Sequence, residues 1–138
     1  MSPITGHCKC GETAYKVNGP TLQVVSCHCG LCRSLTGAAF STYVVVKESQ
    51  LTVTSDPGSL TAYQVTDRTR RYFCRTCGTP LFNANPETYK GLRMLYLGTV
   101  RGHEQLEPAM NIFCESKLPW TMRHEPGQNF QRAPGEGR

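Results

Sequence analysis

The sequence predicts a mostly β protein made of antiparallel sheets, and three observations carry that prediction. Short segments rich in β-branched and aromatic residues recur at close spacing. Clusters of Gly, Pro, Asn and Asp separate them. Only one stretch, Leu31 to Leu35, reads as a helical turn, stopped by Thr36-Gly37.

In chain order, Glu12 to Val17 alternates polar and apolar residues and ends at the turn signal Asn18-Gly19-Pro20. Thr21 to Ser26 is a second strand that runs into a cysteine-rich loop. Ala39 to Val46 follows the helical turn and is dense in Val, Tyr and Phe. Leu51 to Thr54 comes next, closed by Asp56-Pro57-Gly58, where proline presets the turn dihedral. Leu60–Val65 and Thr69–Phe73 form an expected hairpin around Thr66-Asp67-Arg68. Segments 79–83, 94–100 and 110–115 bring the total to eight or nine strands.

The chain has 138 residues, which suits one domain. With 38% hydrophobic and 18% charged residues it has enough apolar material for a core, which excludes a disordered chain. The expected domain covers residues 1–120. From 121 to 138 the composition turns to Gly, Pro, Gln and charge, which reads as a loose tail. No apolar run approaches the roughly 20 residues of a membrane span, and the first six residues lack a signal peptide's basic start and apolar core. A cytoplasmic location with no membrane partner is therefore expected. Thiols stay reduced there, and clustered cysteines hold metal more often than they form disulfides.

The cysteines carry the functional signal. Cys8-Lys9-Cys10-Gly11 and Cys74-Arg75-Thr76-Cys77-Gly78 each present two thiols on a short turn. Two plus two makes a closed tetrahedral zinc site of the structural kind. Cys27-His28-Cys29-Gly30-Leu31-Cys32 presents three, which leaves a fourth metal position open, as catalysis at a metal requires. The other reading of this loop is a second structural site completed by Cys114, His28 or His103. Two zinc ions are the expected cofactors. With divalent ions in place the closed site carries −2 and the open one −1, which takes the formal charge from +5 to +2. That balance suits a small anionic ligand at least as well as a polyanion, so no nucleic-acid partner is expected.

Three thiolates make zinc electron-rich, poor at generating hydroxide and suited to holding a fourth thiol as thiolate. The chemistry this points to is making or breaking a carbon–sulfur bond, with Cys27, Cys29 and Cys32 as the catalytic group. Arg33 and Lys117 are the candidates to bind carboxylates of a thiol substrate. A different class of function, a non-catalytic zinc module binding nucleic acid or protein, is suggested by Arg68, Arg70, Arg71 and Arg75 beside the second knuckle.

Three stretches resemble the glutathione-dependent formaldehyde-activating enzyme family, which includes the centromere protein V domain. They are Gly6 to Gly11, Ser26 to Arg33, and Arg71 to Leu81, extended by Gly98-Thr99 with Pro108 and by Ser116 to Trp120. The resemblance implies an Mss4-like arrangement of sheets joined by a structural zinc at Cys8, Cys10, Cys74 and Cys77. It also implies a catalytic zinc at Cys27, Cys29 and Cys32. The activity it implies is reversible addition of glutathione to formaldehyde, or a related carbon–sulfur lyase reaction on another aldehyde. Relatives often carry a histidine near the last strand, where this chain has Asn111 and Cys114. The same fold hosts B-type methionine sulfoxide reductases with a late-strand nucleophile, a role that Cys114 superficially fits. The sequence leaves the oligomeric state open.

Overall fold

The computed structural model of the chain describes residues 3–121. Strand β1 (Ile4–His7), β2 (Ala14–Val17) and β5 (Leu51–Val53) form a three-stranded antiparallel sheet in the order β1-β2-β5. The other seven strands are β3 (Gln23–Cys27), β4 (Ser41–Lys47), β6 (Leu60–Gln64), β7 (Arg70–Cys74), β8 (Pro80–Ala84), β9 (Leu92–Tyr96) and β10 (Met110–Ile112). They form a second sheet in the order β10-β3-β4-β9-β8-β7-β6. The α-helix among the described residues is α1 (Gly30–Thr36). The expected mostly β architecture is what forms.

The period-2 alternation of β4 divides the packing. Val44 and Val46 are fully buried with Tyr15 and Val17 of the small sheet, Phe82 of β8 and Leu95 of β9. Tyr43 points the other way and packs with Val25, Cys27, Cys32 and Tyr96. One face of the large sheet therefore closes the main core. The other carries the cysteine loop.

Four details depart from the sequence expectation. The first expected strand begins at Glu12, yet Ile4–His7 already forms a strand, with Gly6 inside it. That glycine is required by packing: a side-chain carbon there would collide with the Tyr15 ring and lie 2.6 Å from the Thr99 carbonyl oxygen. The strand expected over 94–100 runs instead from Leu92 to Tyr96 and passes into a 3-10 turn, Leu97–Thr99. The strand expected over 110–115 ends at Ile112 because Phe113 takes a left-handed backbone, φ 56° and ψ 43°. Finally, β10 pairs with β3 in parallel, Ile112 opposite Cys27, whereas all other pairs are antiparallel. The expected tail, apart from Thr121, lies outside the described residues. No helix among the described residues is long and apolar enough to cross a membrane.

Candidate metal centre and cleft

All eight cysteines are free of disulfides, and seven gather into two groups whose sulfurs lie within 4.8 Å of one another. The first group is Cys8, Cys10, Cys74 and Cys77. Cys8 and Cys10 follow β1, whereas Cys74 ends β7, so this group joins the small sheet to the large one. Gly11 at φ 83° and Gly78 at φ 76° take the left-handed conformation that closes each knuckle. Their amides donate to the carbonyls of Cys8 and Cys74 at 3.1 and 2.9 Å.

Two of the four thiols, Cys74 and Cys77, are biased towards the thiolate, whereas Cys10 is pushed up to about 12, a backbone hydrogen bond at Glu12 being outweighed by desolvation and the neighbouring thiols. The Thr13 amide donates to Cys8 Sγ at 3.2 Å, and the Thr79 hydroxyl lies 3.1 Å from Cys77 Sγ. The Thr79 hydroxyl and amide hold the Cys77 thiol down at about 5, and a hydrogen bond with Thr13 leads the lowering of Cys74. Zinc at the centre of a tetrahedron with bonds of about 2.3 Å needs sulfurs about 3.8 Å apart. Cys8 to Cys10 is 3.6 Å and Cys10 to Cys74 is 3.8 Å. The donor set fits the ion.

The second group, Cys27, Cys29 and Cys32, is local in sequence and built by a strand end and a helix start. Cys27 is the last residue of β3. Cys29 is the N-cap of α1, its sulfur accepting the Cys32 amide at 3.2 Å. Cys32 faces inward from the first turn of the helix, and Gly37 ends the helix in the left-handed region. Cys27 and Cys29 sulfurs stand 3.6 Å apart, again the edge of a zinc tetrahedron. Among the described residues no fourth His, Cys, Asp or Glu joins them. This group can hold a metal with a position to spare.

A buried chain of hydrogen bonds runs from the large sheet to this cluster. Tyr96 donates to Asn83 Oδ1 at 3.0 Å, Asn83 Nδ2 donates to the Tyr43 hydroxyl at 3.3 Å, and Tyr43 donates to Cys32 Sγ at 3.3 Å. Burial pushes the Tyr43 phenol well above its ordinary value, so it remains a donor. Cys27 is held down at about 6, chiefly by its hydrogen bond with Cys32. The same bond and burial push Cys32 up. Sequence reasoning did not find Tyr43, Asn83 or Tyr96, which lie on three strands and look like ordinary core residues.

His28 turns away from the metal group. Its ring is buried against Phe40 at 4.9 Å, and Nε2 lies 2.9 Å from Asn111 Oδ1. An amide oxygen only accepts, so Nε2 donates in this contact, and the buried Nδ1 has no hydrogen-bond partner. Asn111, at the position where a histidine was expected in relatives, thus anchors β10 to the loop. The parallel pairing of β10 with β3 is what brings the two residues together.

Arg33 Nη1 donates to the carbonyls of His28 at 2.8 Å and Ser116 at 2.7 Å. It straps the turn after β10 onto the cysteine loop and places Lys117, the next residue, nearby in the chain. Cys114 is exposed, its sulfur 3.5 Å from the Asn111 carbonyl, and it joins neither cysteine group. His103 hydrogen-bonds the Val100 carbonyl and likewise joins neither. The arginines of the second knuckle are dispersed. Arg68 pairs with Glu87 at 3.1 Å and Arg75 with Glu12 at 3.6 Å, while Arg70 and Arg71 lie over Tyr72 and Phe73.

The three-cysteine group opens on a cleft of about 800 Å3 that runs across the second face of the large sheet. Val25, Val45, Leu92 and Met94 form its floor, and Leu31, Leu35, Met110 and Phe113 rise at its sides. Its polar positions include Thr66, Arg68, Asn85 and Thr88. The sequence model of the family described as glutathione-dependent formaldehyde-activating enzyme matches residues 3–116 of this chain. A crystal structure of a Rhodobacter sphaeroides protein is similar in fold. Its TM-score is 0.62 at 21% identity, covering 78% of this chain and 98% of that one.

Proposed function

The chain belongs to the glutathione-dependent formaldehyde-activating enzyme family, and from that premise we propose that it is a zinc-dependent carbon–sulfur lyase acting on adducts of a thiol, with glutathione the leading candidate. The observation that carries this reading is the three-thiol group, with no fourth ligand among the described residues, at the cleft. A zinc ion held by Cys27, Cys29 and Cys32 would accept a substrate thiol at its open position and keep it as thiolate at neutral pH. Cys8, Cys10, Cys74 and Cys77 hold the structural ion in this reading. The proposed setting is the reducing cytoplasm.

In the forward direction the substrate sulfur attacks the aldehyde carbon. A C–S bond forms, the C=O electron pair moves to oxygen, and that oxygen takes a proton equivalent to the one the thiol released. In reverse the hemithioacetal hydroxyl loses its proton, the C–S bond breaks and sulfur leaves with the pair. The chain's own groups support both directions. Tyr43 donates to Cys32, and the Cys32 amide donates to Cys29, which holds the thiolates in place without neutralising them. The floor beside the thiols is apolar, which lowers the polarity around a bound sulfur. Arg33 has five N–H donors and uses Nη1 on the two carbonyls, so its remaining donors, with Lys117, are proposed to meet substrate carboxylates.

The test is spectroscopic. Glutathione should change the thiolate-to-metal absorption of cobalt-substituted protein, and S-methylglutathione, with no ionisable thiol, should do so far less. Equal responses would show that substrate sulfur is not a ligand and would favour a non-catalytic binding module.

A further inference from the structure

A one-carbon electrophile such as formaldehyde leaves nearly all of the cleft unused. About 800 Å3 is room for on the order of 25 waters, in the range of pockets that enclose drug-sized ligands. The register of the sheet explains why this space is apolar. Met110, Val25 and Tyr43 are successive cross-strand neighbours from β10 to β4, and Val45 and Met94 are paired in the next row. All five lie on the face that carries Cys27, because strand alternation sends Val24, Val44 and Leu95 to the core side. The upper edge stays exposed and apolar, with Leu22 at 44%, Met110 at 41% and Phe113 at 50%.

Glutathione cannot be what fills this floor. On the floor itself Val25, Val45, Leu92 and Met94 offer its two carboxylates and its ammonium no partner, and the polar positions Thr66, Arg68, Asn85 and Thr88 are where such groups would be met. Arg68, the cation among the lining residues, is ion-paired to Glu87. The peptide belongs at the rim and in solvent.

We infer that the adduct this protein processes carries an extended apolar substituent on its electrophile-derived carbon, a long-chain aliphatic or aromatic aldehyde rather than formaldehyde, and that this substituent lies along Val25, Val45, Leu92 and Met94. The inference rests on the lyase reading for the reaction. For the apolar seat it rests on the cleft itself, which is continuous with the thiol cluster.

Two measurements on full-length, metal-loaded protein test it. Glutathione hemithioacetals of methanal, butanal, hexanal and octanal should be cleaved with kcat/KM rising by up to about fourfold per methylene over the first several carbons. S-hexylglutathione, an unreactive thioether, should bind at least a hundredfold tighter than S-methylglutathione by calorimetry. Val45→Trp, which fills the floor, should reduce the octanal-to-methanal rate ratio at least tenfold. Met94→Gln should lower the same ratio if the larger substitution fails to fold.

Turnover that is flat or falls with chain length, together with equal binding of the two thioethers, overturns the inference and leaves the lyase reading intact. Tight, length-dependent thioether binding with no turnover of any adduct supports the apolar seat and overturns the lyase reading instead. A length preference that appears only after deletion of residues 122–138, or only on dilution to a monomer, would assign the cleft to the chain's own terminus or to a second copy, and the inference would fail.

Discussion

The two cysteine groups use the same thiol and differ in everything around it. The four-cysteine group draws its ligands from the turn after β1 and from the end of β7, residues more than sixty positions apart, and so joins the two sheets. The three-cysteine group draws its ligands from six consecutive residues, so a metal there would join no distant parts of the chain; hydrogen bonds alone tie this segment to Tyr43 and, through Arg33 and His28, to the chain around β10. A metal in the first group closes a long loop, so its binding energy is folding energy. A metal in the second would leave the fold as it is and, in the proposed reading, keep a position for substrate. The difference teaches that two thiol groups of one chemistry are set apart here by ligand count and chain separation, and the proposed structural and reactive roles rest on that contrast.

The largest effect that would break this comparison comes from removing one ligand of each group. Cys74→Ser should abolish the cooperative fold, since structural zinc contributes on the order of 10 kcal/mol or more to small domains. Cys29→Ser should leave a folded protein with one tightly held metal and no lyase activity. Circular dichroism melts and metal analysis check both, and equal melting midpoints for the two variants would erase the distinction.

A smaller effect is expected from Tyr43→Phe, which takes the donor from Cys32 and the acceptor from Asn83 in a buried setting. Leaving such groups unpaired costs about 1–3 kcal/mol. Metal should leave the three-cysteine group roughly tenfold faster or more in a chelator trap, while the four-cysteine group keeps its rate. Equal acceleration at both sites would make Tyr43 a general packing residue.

Acidification sharpens the comparison through the thiols themselves. Metal binding requires thiolates, so affinity falls as pH drops through the thiol values. Cys27 is held down at about 6 and Cys77 at about 5, Cys74 is lowered, and each group also holds a raised thiol, Cys32 in the three-cysteine group and Cys10, pushed up to about 12, in the four-cysteine group. Held by one thiolate fewer, the metal of the three-cysteine group should be released first as pH falls, and that of the four-cysteine group at lower pH. A chromophoric chelator followed along the titration should show two steps in that order.

The smallest effect concerns Phe113. A bulky residue held in the left-handed region costs about 1–2 kcal/mol of backbone strain, which Phe113→Gly relieves. The lost ring contact at the cleft wall and the flexibility of glycine offset that gain. The melting midpoint should stay within a few degrees of the parent. A drop of ten degrees or more would mean that Phe113 packs into the fold rather than lining the cleft.

The amino-acid sequence alone determined the β-rich class, the helical turn at the cysteine loop and the grouping of seven thiols into four and three. Those are local facts: alternation, turn chemistry and ligand spacing are written in neighbouring residues. Tertiary structure alone decided the parallel pairing of β10 with β3, the strand β1 and the Tyr96-Asn83-Tyr43 relay onto Cys32. Each depends on residues far apart in the chain meeting at a particular register. Gly6 illustrates the limit. Locally it reads as a strand breaker, yet the Tyr15 ring and the Thr99 carbonyl leave no room there for any side chain. The cleft belongs to the same class of facts. Val25, Val45, Leu92 and Met94 are apolar strand residues in the sequence, and only the pairing of β3, β4 and β9 turns one face of them into a surface beside three thiols.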